Sequence, residues 1–111
     1  MEISSEEYIY RSRPRVVEVA SGMLNGSIDY LEGAIELSSL WLAIGLPEND
    51  SDFLVFIAIA SEIESLPIGV RRQYCSKESL ERHEPEIQSA IVWAKKVSLA
   101  ECMSIVARFT V

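Results

Sequence analysis

The longest uninterrupted apolar run, FLVFIAIA from Phe53 to Ala60, constrains the fold of this 111-residue chain more than any other feature. Eight apolar residues are far fewer than the ~20 that span a bilayer, so the segment belongs in the core of a domain. Such a run suits either a buried strand or a buried helix. The segment from Phe53 to Leu66, which includes this run, has 14 residues and so exceeds an average strand. We therefore predict a helix, with a strand as the alternative for residues 53–60.

The segments before this run carry helix periodicity and end signals. Pro14 suits the first turn of a helix, and Asn25-Gly26 suits its end. Ser27 is a candidate N-cap for a second helix. Asp50 or Ser51 is a candidate N-cap for the apolar helix itself.

The C-terminal third has three further helix signals. Ser76 is a candidate cap for a short helix ending near Arg82, and Pro85 is a candidate start for the next. Ser98 and Glu101 form an S-x-x-E capping box, which predicts that a last helix begins there. The expected fold is all-α: a compact helical bundle of about five helices. Residues 1–12 are expected to be a flexible tail and residues 13–111 a single helical domain.

The composition narrows the choice of partner and compartment. Ten basic and 17 acidic side chains give a formal charge of −7, which repels phosphate backbones and anionic lipid. We expect no direct nucleic-acid binding and no membrane contact. The two cysteines have no C-x-x-C spacing and are expected to be reduced thiols. The N-terminal residues lack the pattern of a signal peptide, so the expected location is cytoplasmic.

Residue patterns for chemistry are weak. His83 is the one histidine, and ERHEPE around it matches no metal-binding motif. The segment ENDSD, residues 48–52, lacks the glycine and the final glutamate of a calcium loop. No serine or cysteine has the surroundings of an activated nucleophile. We predict no catalytic residue, no metal site and no cofactor, and therefore no enzyme.

The charge distribution is the most informative functional feature. From Val16 to Val70 the chain has nine acids and no bases. If the second helix is correct, three of these acids share one face, at spacings i, i+3 and i+7. An unrelieved acidic surface favours a cationic protein partner, unless distant basic residues fold back onto it. The predicted partner-binding residues are Asp29, Glu32, Glu36, Glu48, Asp50 and Asp52.

Two stretches resemble known proteins: SIDYLEGAIELSSL (27–40) and DFLVFIAIASEIESLPIGVRRQY (52–74). They are similar to small acidic helical bacterial proteins of unassigned function. Some of those proteins are immunity partners of contact-dependent growth inhibition or other polymorphic toxin systems. The resemblance includes the turn Leu66-Pro67 with Gly69, followed by Arg71 or Arg72.

The resemblance implies an immunity protein that binds a cognate, basic, nuclease-type toxin domain with fixed stoichiometry and so neutralises it. The alternative is a homodimeric interaction or adaptor protein, so monomer and homodimer both remain open. A third class is a small helical enzyme with clustered carboxylates and a metal ion. A stoichiometric ion in the purified protein would favour that class.

Overall fold

The all-α prediction is confirmed for the residues that the structure describes, since every regular element there is a helix. The computed structural model describes residues 5–43 and 50–110, with side chains for 12–41, 50–69 and 72–110. Four α-helices and one 3-10 helix lie within these ranges: α1 (Ser5–Asn25), α2 (Tyr30–Ala43), α3 (Ser51–Glu62), the 3-10 helix (Gly69–Tyr74) and α4 (Lys77–Phe109). The described residues contain no strand.

The four helices enclose one apolar core. α2 packs against α1 and α3, and α4 packs along α1 and α3. The largest fully buried apolar side chains come from all four helices and from the residue that ends α3: Val16, Val19, Leu31, Leu37, Phe53, Phe56, Ile59, Ile63, Cys102 and Ile105. The domain therefore holds together through one shared core, as expected for a chain of this length.

The apolar run from Phe53 to Ala60 is helical, which confirms the predicted helix and excludes the strand alternative. Asp50 is the N-cap, since its side chain accepts a hydrogen bond from the Asp52 amide at 3.1 Å. The helix ends at Glu62, earlier than the apolar pattern predicts, because the chain then turns: the Leu66 amide donates to the Ile63 carbonyl at 3.0 Å.

The connection from α1 to α2 is tight. Gly26, at φ +86°, follows the last residue of α1, confirming Asn25-Gly26 as the stop. Asp29, rather than Ser27, caps α2, because its Oδ1 accepts from the Glu32 amide at 3.0 Å. Gly33 lets the two helices approach closely: a Cβ at this position would lie 2.5 Å from the Met23 Sδ.

The start of α1 lies earlier than Pro14. The helix begins at Ser5, so eight of the twelve residues expected in the tail are helical. Pro14 sits inside the helix with its side chain exposed, where water can satisfy the carbonyl that loses its amide partner. Residues 1–4 lie outside the described residues, and the flexibility of the tail stays a prediction. The sequence also predicts that the second helix ends at Gly45 and Pro47. These two residues lie outside the described ones, so this end stays a prediction.

α4 is one continuous helix where three were predicted, so about five helices is an overcount. Ser76 caps α4 as expected, accepting from the Ser79 amide at 3.1 Å. Pro85 does not start a helix, because it lies inside α4 with its side chain exposed. Ser98 does not cap one either, since its hydroxyl donates to the Ala94 carbonyl at 2.6 Å. At ~1.5 Å per residue, α4 is about 50 Å long.

Candidate functional site

The acids of α2 were predicted to form one exposed, unrelieved stripe. Asp29 is exposed but serves as the N-cap of α2. Glu32 is exposed in the first turn of α2, where the helix dipole favours an acid. Arg72 lines the same groove of about 260 Å³ as these two carboxylates. This end of the stripe therefore has a structural role and a basic neighbour.

Glu36, two turns from Asp29, is paired with an arginine of α1. Arg15 holds it with two hydrogen bonds: Nη2 donates to Oε1 at 2.7 Å, and Nε donates to Oε2. The Arg15 Nη1 also donates to Glu18 at 2.8 Å. These contacts raise the pKa of Arg15, led by the hydrogen bond to Glu36. Arg15 stands one position before the segment that contains no base, so sequence counting missed this neutralisation.

Asp50 and Asp52, at the start of α3, share one arginine from the last turn of α4. Arg108 donates to both oxygens of Asp50, at 3.0 and 3.1 Å, and to Oδ2 of Asp52 at 2.8 Å. Ser104 donates a further bond of 2.8 Å to Asp52. The two carboxylates are 11% and 16% exposed. The hydrogen bond from Arg108 lowers the pKa of Asp50 below its usual value.

The prediction of an uncompensated acidic surface is therefore wrong for Glu36, Asp50 and Asp52. Each carboxylate is paired with an arginine that lies far away in sequence. Such pairs fix the helices against one another and neutralise these three carboxylates locally. Glu48 lies outside the described residues. Whether any of the six acids contacts a partner stays a prediction.

The outer face of α4 carries five of the eight large apolar side chains that are exposed among the described residues. Val92 is 68% and Met103 58% exposed, and Leu99 lies between them on the same side of the helix. Trp93 and Val97 are also exposed and widen the face, as do Ala100 and Ala107. Lys96 is also exposed on this side of α4 and is the one charged residue that we include in this face. Contiguous exposed apolar surface of this kind marks an interaction site more often than isolated apolar residues do. We call these residues the α4 outer face.

The periodic pattern puts Leu99 and Met103 on one apolar stripe with Cys102, but the structure buries Cys102 and leaves the other two exposed. The buried face of α4 consists of Ile87, Ala94, Ser98, Cys102 and Ile105. Trp93 is exposed as well, whereas Trp41 packs against the core. The sequence of α4 contains two apolar stripes. A helix at the surface of a bundle can bury only one of them in the core.

The polar groups on the inner side of α4 are satisfied within the fold. Tyr30 bonds the Ser98 hydroxyl at 2.6 Å, and since Ser98 donates to Ala94, Tyr30 is the donor. Burial raises the pKa of Tyr30. The Cys102 thiol donates to the Ala20 carbonyl at 3.4 Å, and burial raises its pKa to about 11. These groups link α4 to α1 and α2, and a thiol with so high a pKa is a poor nucleophile.

No constellation for metal chemistry occurs within the described ranges. No group of three or more histidine, cysteine, aspartate or glutamate side chains there could hold a metal ion. His83 is half-buried inside α4, and its Nδ1 lies 2.8 Å from the Ser79 carbonyl oxygen. His83 lies between two helices that the sequence predicts separately. Because α4 is continuous, that prediction is wrong.

Comparisons with protein-family models, with curated proteins and with solved structures found no match. Among the helices in the described part of the chain, none has the length and apolarity required to traverse a bilayer.

Proposed function

We propose that this chain is an immunity protein, which binds a cognate toxin domain in fixed stoichiometry and neutralises it without catalysis. The observation that carries the proposal is the α4 outer face, an exposed apolar strip on a helix whose opposite side is fully used by the core. Binding energy at protein interfaces concentrates in a few large apolar or aromatic side chains at the centre of the contact. The proposed compartment is the cytoplasm.

The acids take a secondary part in this proposal. Asp29 and Glu32 are exposed and form no ion pair with another described residue, so they are free to act at the rim of an interface. Charges at a rim alter the association rate and its salt dependence more than the affinity. Three other acids bind an arginine within the fold. To contact a basic residue of the partner, they would first have to release it: Glu36, Asp50 and Asp52. The α4 outer face is therefore the better candidate for the centre of the contact.

The test replaces two central residues of that face. Leu99→Ser with Met103→Ser is expected to weaken binding to the cognate toxin domain by about 30- to 1,000-fold, as for paired hot spots. The measurement is a calorimetric titration, with growth of cells that express both proteins as a second readout. The free energy of unfolding should change little, since both side chains are exposed.

The matched control is Leu24→Ser with Leu54→Ser, which makes the same kind of exchange at exposed positions of α1 and α3. This control is expected to bind like the wild type. Equal loss in both double variants, or none in either, would remove the α4 outer face from the interface. Absence of any binding by the wild-type protein would contradict the toxin partner itself.

A homodimeric interaction protein is the second candidate, and the same face favours it, because an exposed apolar helix face also suits a second copy of the chain. Sedimentation of the protein alone separates the two. A tight dimer that the Leu99→Ser, Met103→Ser variant dissociates, together with indifference to the toxin domain, would support the dimer over the immunity role.

A further inference from the structure

A groove of about 520 Å³ lies between the C-terminal end of α3 and the middle of α4. Its apolar lining includes Ile63 and Leu66, both buried, and the exposed Trp93. Because the two buried residues belong to the core, that part of the groove is fixed by the fold. Trp93 also belongs to the α4 outer face, so the groove adjoins the proposed contact surface. A partner seated on that face would reach it.

The charge of this groove is one-sided. Glu62 and Glu86 line it, both are exposed, and the described residues of its lining include no base. Neither carboxylate forms an ion pair with another residue in the described ranges. Two smaller grooves that also contain an acid each include a base, Arg72 in one and Lys95 in the other. The larger groove differs from these two in that the described residues of its lining include acids but no base.

The end of α3 adds to this field. The helix finishes at Glu62 with no basic residue in its last turn, and its unpaired carbonyl groups carry partial negative charge there. An acid at this end of a helix is unfavourable unless a cation relieves it. Carboxylates, helix carbonyls and the π face of an indole all attract the same kind of group, a cation attached to an apolar stem.

We propose that this groove receives an arginine side chain of the partner protein, with its stem on the apolar lining and its guanidinium between Glu62, Glu86 and the Trp93 ring. The partner is the protein that docks on the α4 outer face, so the inference rests on the proposed function. Arginine fits better than lysine, because its planar group stacks on indole and donates to two carboxylates together. The groove would thus bind one specific basic side chain of the partner.

The peptide acetyl-Leu-Arg-Leu-amide tests the groove directly. The control is the same peptide with citrulline in place of arginine, which has a similar shape but no charge. In the Trp41→Phe protein, Trp93 is the one remaining tryptophan and reports by fluorescence. The arginine peptide is expected to change its emission saturably in the millimolar range, the citrulline peptide not to do so, and Glu62→Gln with Glu86→Gln to abolish the response. Equal responses to both peptides, or no response to either, would overturn the arginine site.

The second arm uses the toxin domain. Glu62→Gln with Glu86→Gln is expected to weaken its binding about three- to tenfold. Glu78→Gln with Glu81→Gln, two exposed acids elsewhere on α4, makes the same change in net charge and is expected to bind like the wild type. The Glu62 change should not lower the midpoint of unfolding, because it removes an acid from the negative end of a helix. A purely structural role would predict a lower midpoint.

The two proposals fail in different ways. If Leu99→Ser with Met103→Ser abolishes binding while the Glu62, Glu86 double variant binds like the wild type, the arginine site is wrong and the immunity role stands. If the wild-type protein does not bind the toxin domain, the immunity role is wrong, and the peptide titration alone decides the groove.

Discussion

Phe56→Ala should lower the free energy of unfolding by about 3–5 kcal/mol, the largest stability effect we expect from a single substitution. Phe56 is fully buried in α3, and Phe53, one turn before it, packs edge-on against Phe109 with ring centroids 6.2 Å apart. The substitution removes a buried aromatic side chain from the core that the four helices share. Chemical denaturation followed by circular dichroism measures the effect.

Leu54→Ala is the matched control on the same helix. Leu54 is 45% exposed, so its truncation should cost about 0.5 kcal/mol or less. The pair also tests the conformation of the apolar run. In a strand, residues 54 and 56 would share one face and 53 the other, so similar losses at Leu54 and Phe56 would contradict the helix.

Arg108→Gln should be the next largest effect, at about 2–3 kcal/mol at pH 7. It leaves Asp50 and Asp52 as two mostly buried carboxylates without a counter-ion. Removing one partner of a fully buried pair costs about 3–5 kcal/mol, and the partial exposure of Arg108 reduces this. Arg82→Gln, an exposed arginine of α4 without an ion pair among the described residues, is the control and should have little effect.

The pH dependence of the free energy of unfolding tests the Arg108 ion pair separately. Arg108 holds the pKa of Asp50 below its usual value, so the folded state binds fewer protons than the unfolded state as the carboxylate titrates. The stabilisation is complete above the unfolded pKa of about 3.9 and is lost as the pH falls through the lower folded value. In Arg108→Gln the difference from wild type should shrink below about pH 4. A constant difference from pH 7 to pH 3 would contradict the ion-pair account.

Local signals in the sequence predicted the local structure well. The caps Asp50 and Ser76 and the stop at Asn25-Gly26 are confirmed, because each depends on a hydrogen bond or a dihedral angle within a few residues. The all-α class followed from the length of the apolar run that begins at Phe53. These features need no knowledge of what packs against them.

Features that depend on distant residues could not be predicted in this way. The partners Arg15 and Glu36 are 21 positions apart, and Arg108 lies 58 positions from Asp50. A charge count within one segment of the sequence treats such acids as unpaired, because their arginines lie outside that segment. The proline and serine signals in α4 were misleading for a related reason. Pro85 is tolerated because its side chain is exposed, and Ser98 because Tyr30 and Ala94 satisfy its hydroxyl.

The α4 outer face was hidden for the same reason, since a periodic pattern cannot say which of two apolar stripes meets the core. Methyl resonances give the most direct test of its role. On adding the toxin domain, the methyls of Val92, Leu99 and Met103 should shift and lose contact with a soluble paramagnetic probe. The methyls of Leu24 and Leu54, exposed on other helices, should not change. Protection of those two leucines, with Leu99 and Met103 still open to solvent, would contradict the account.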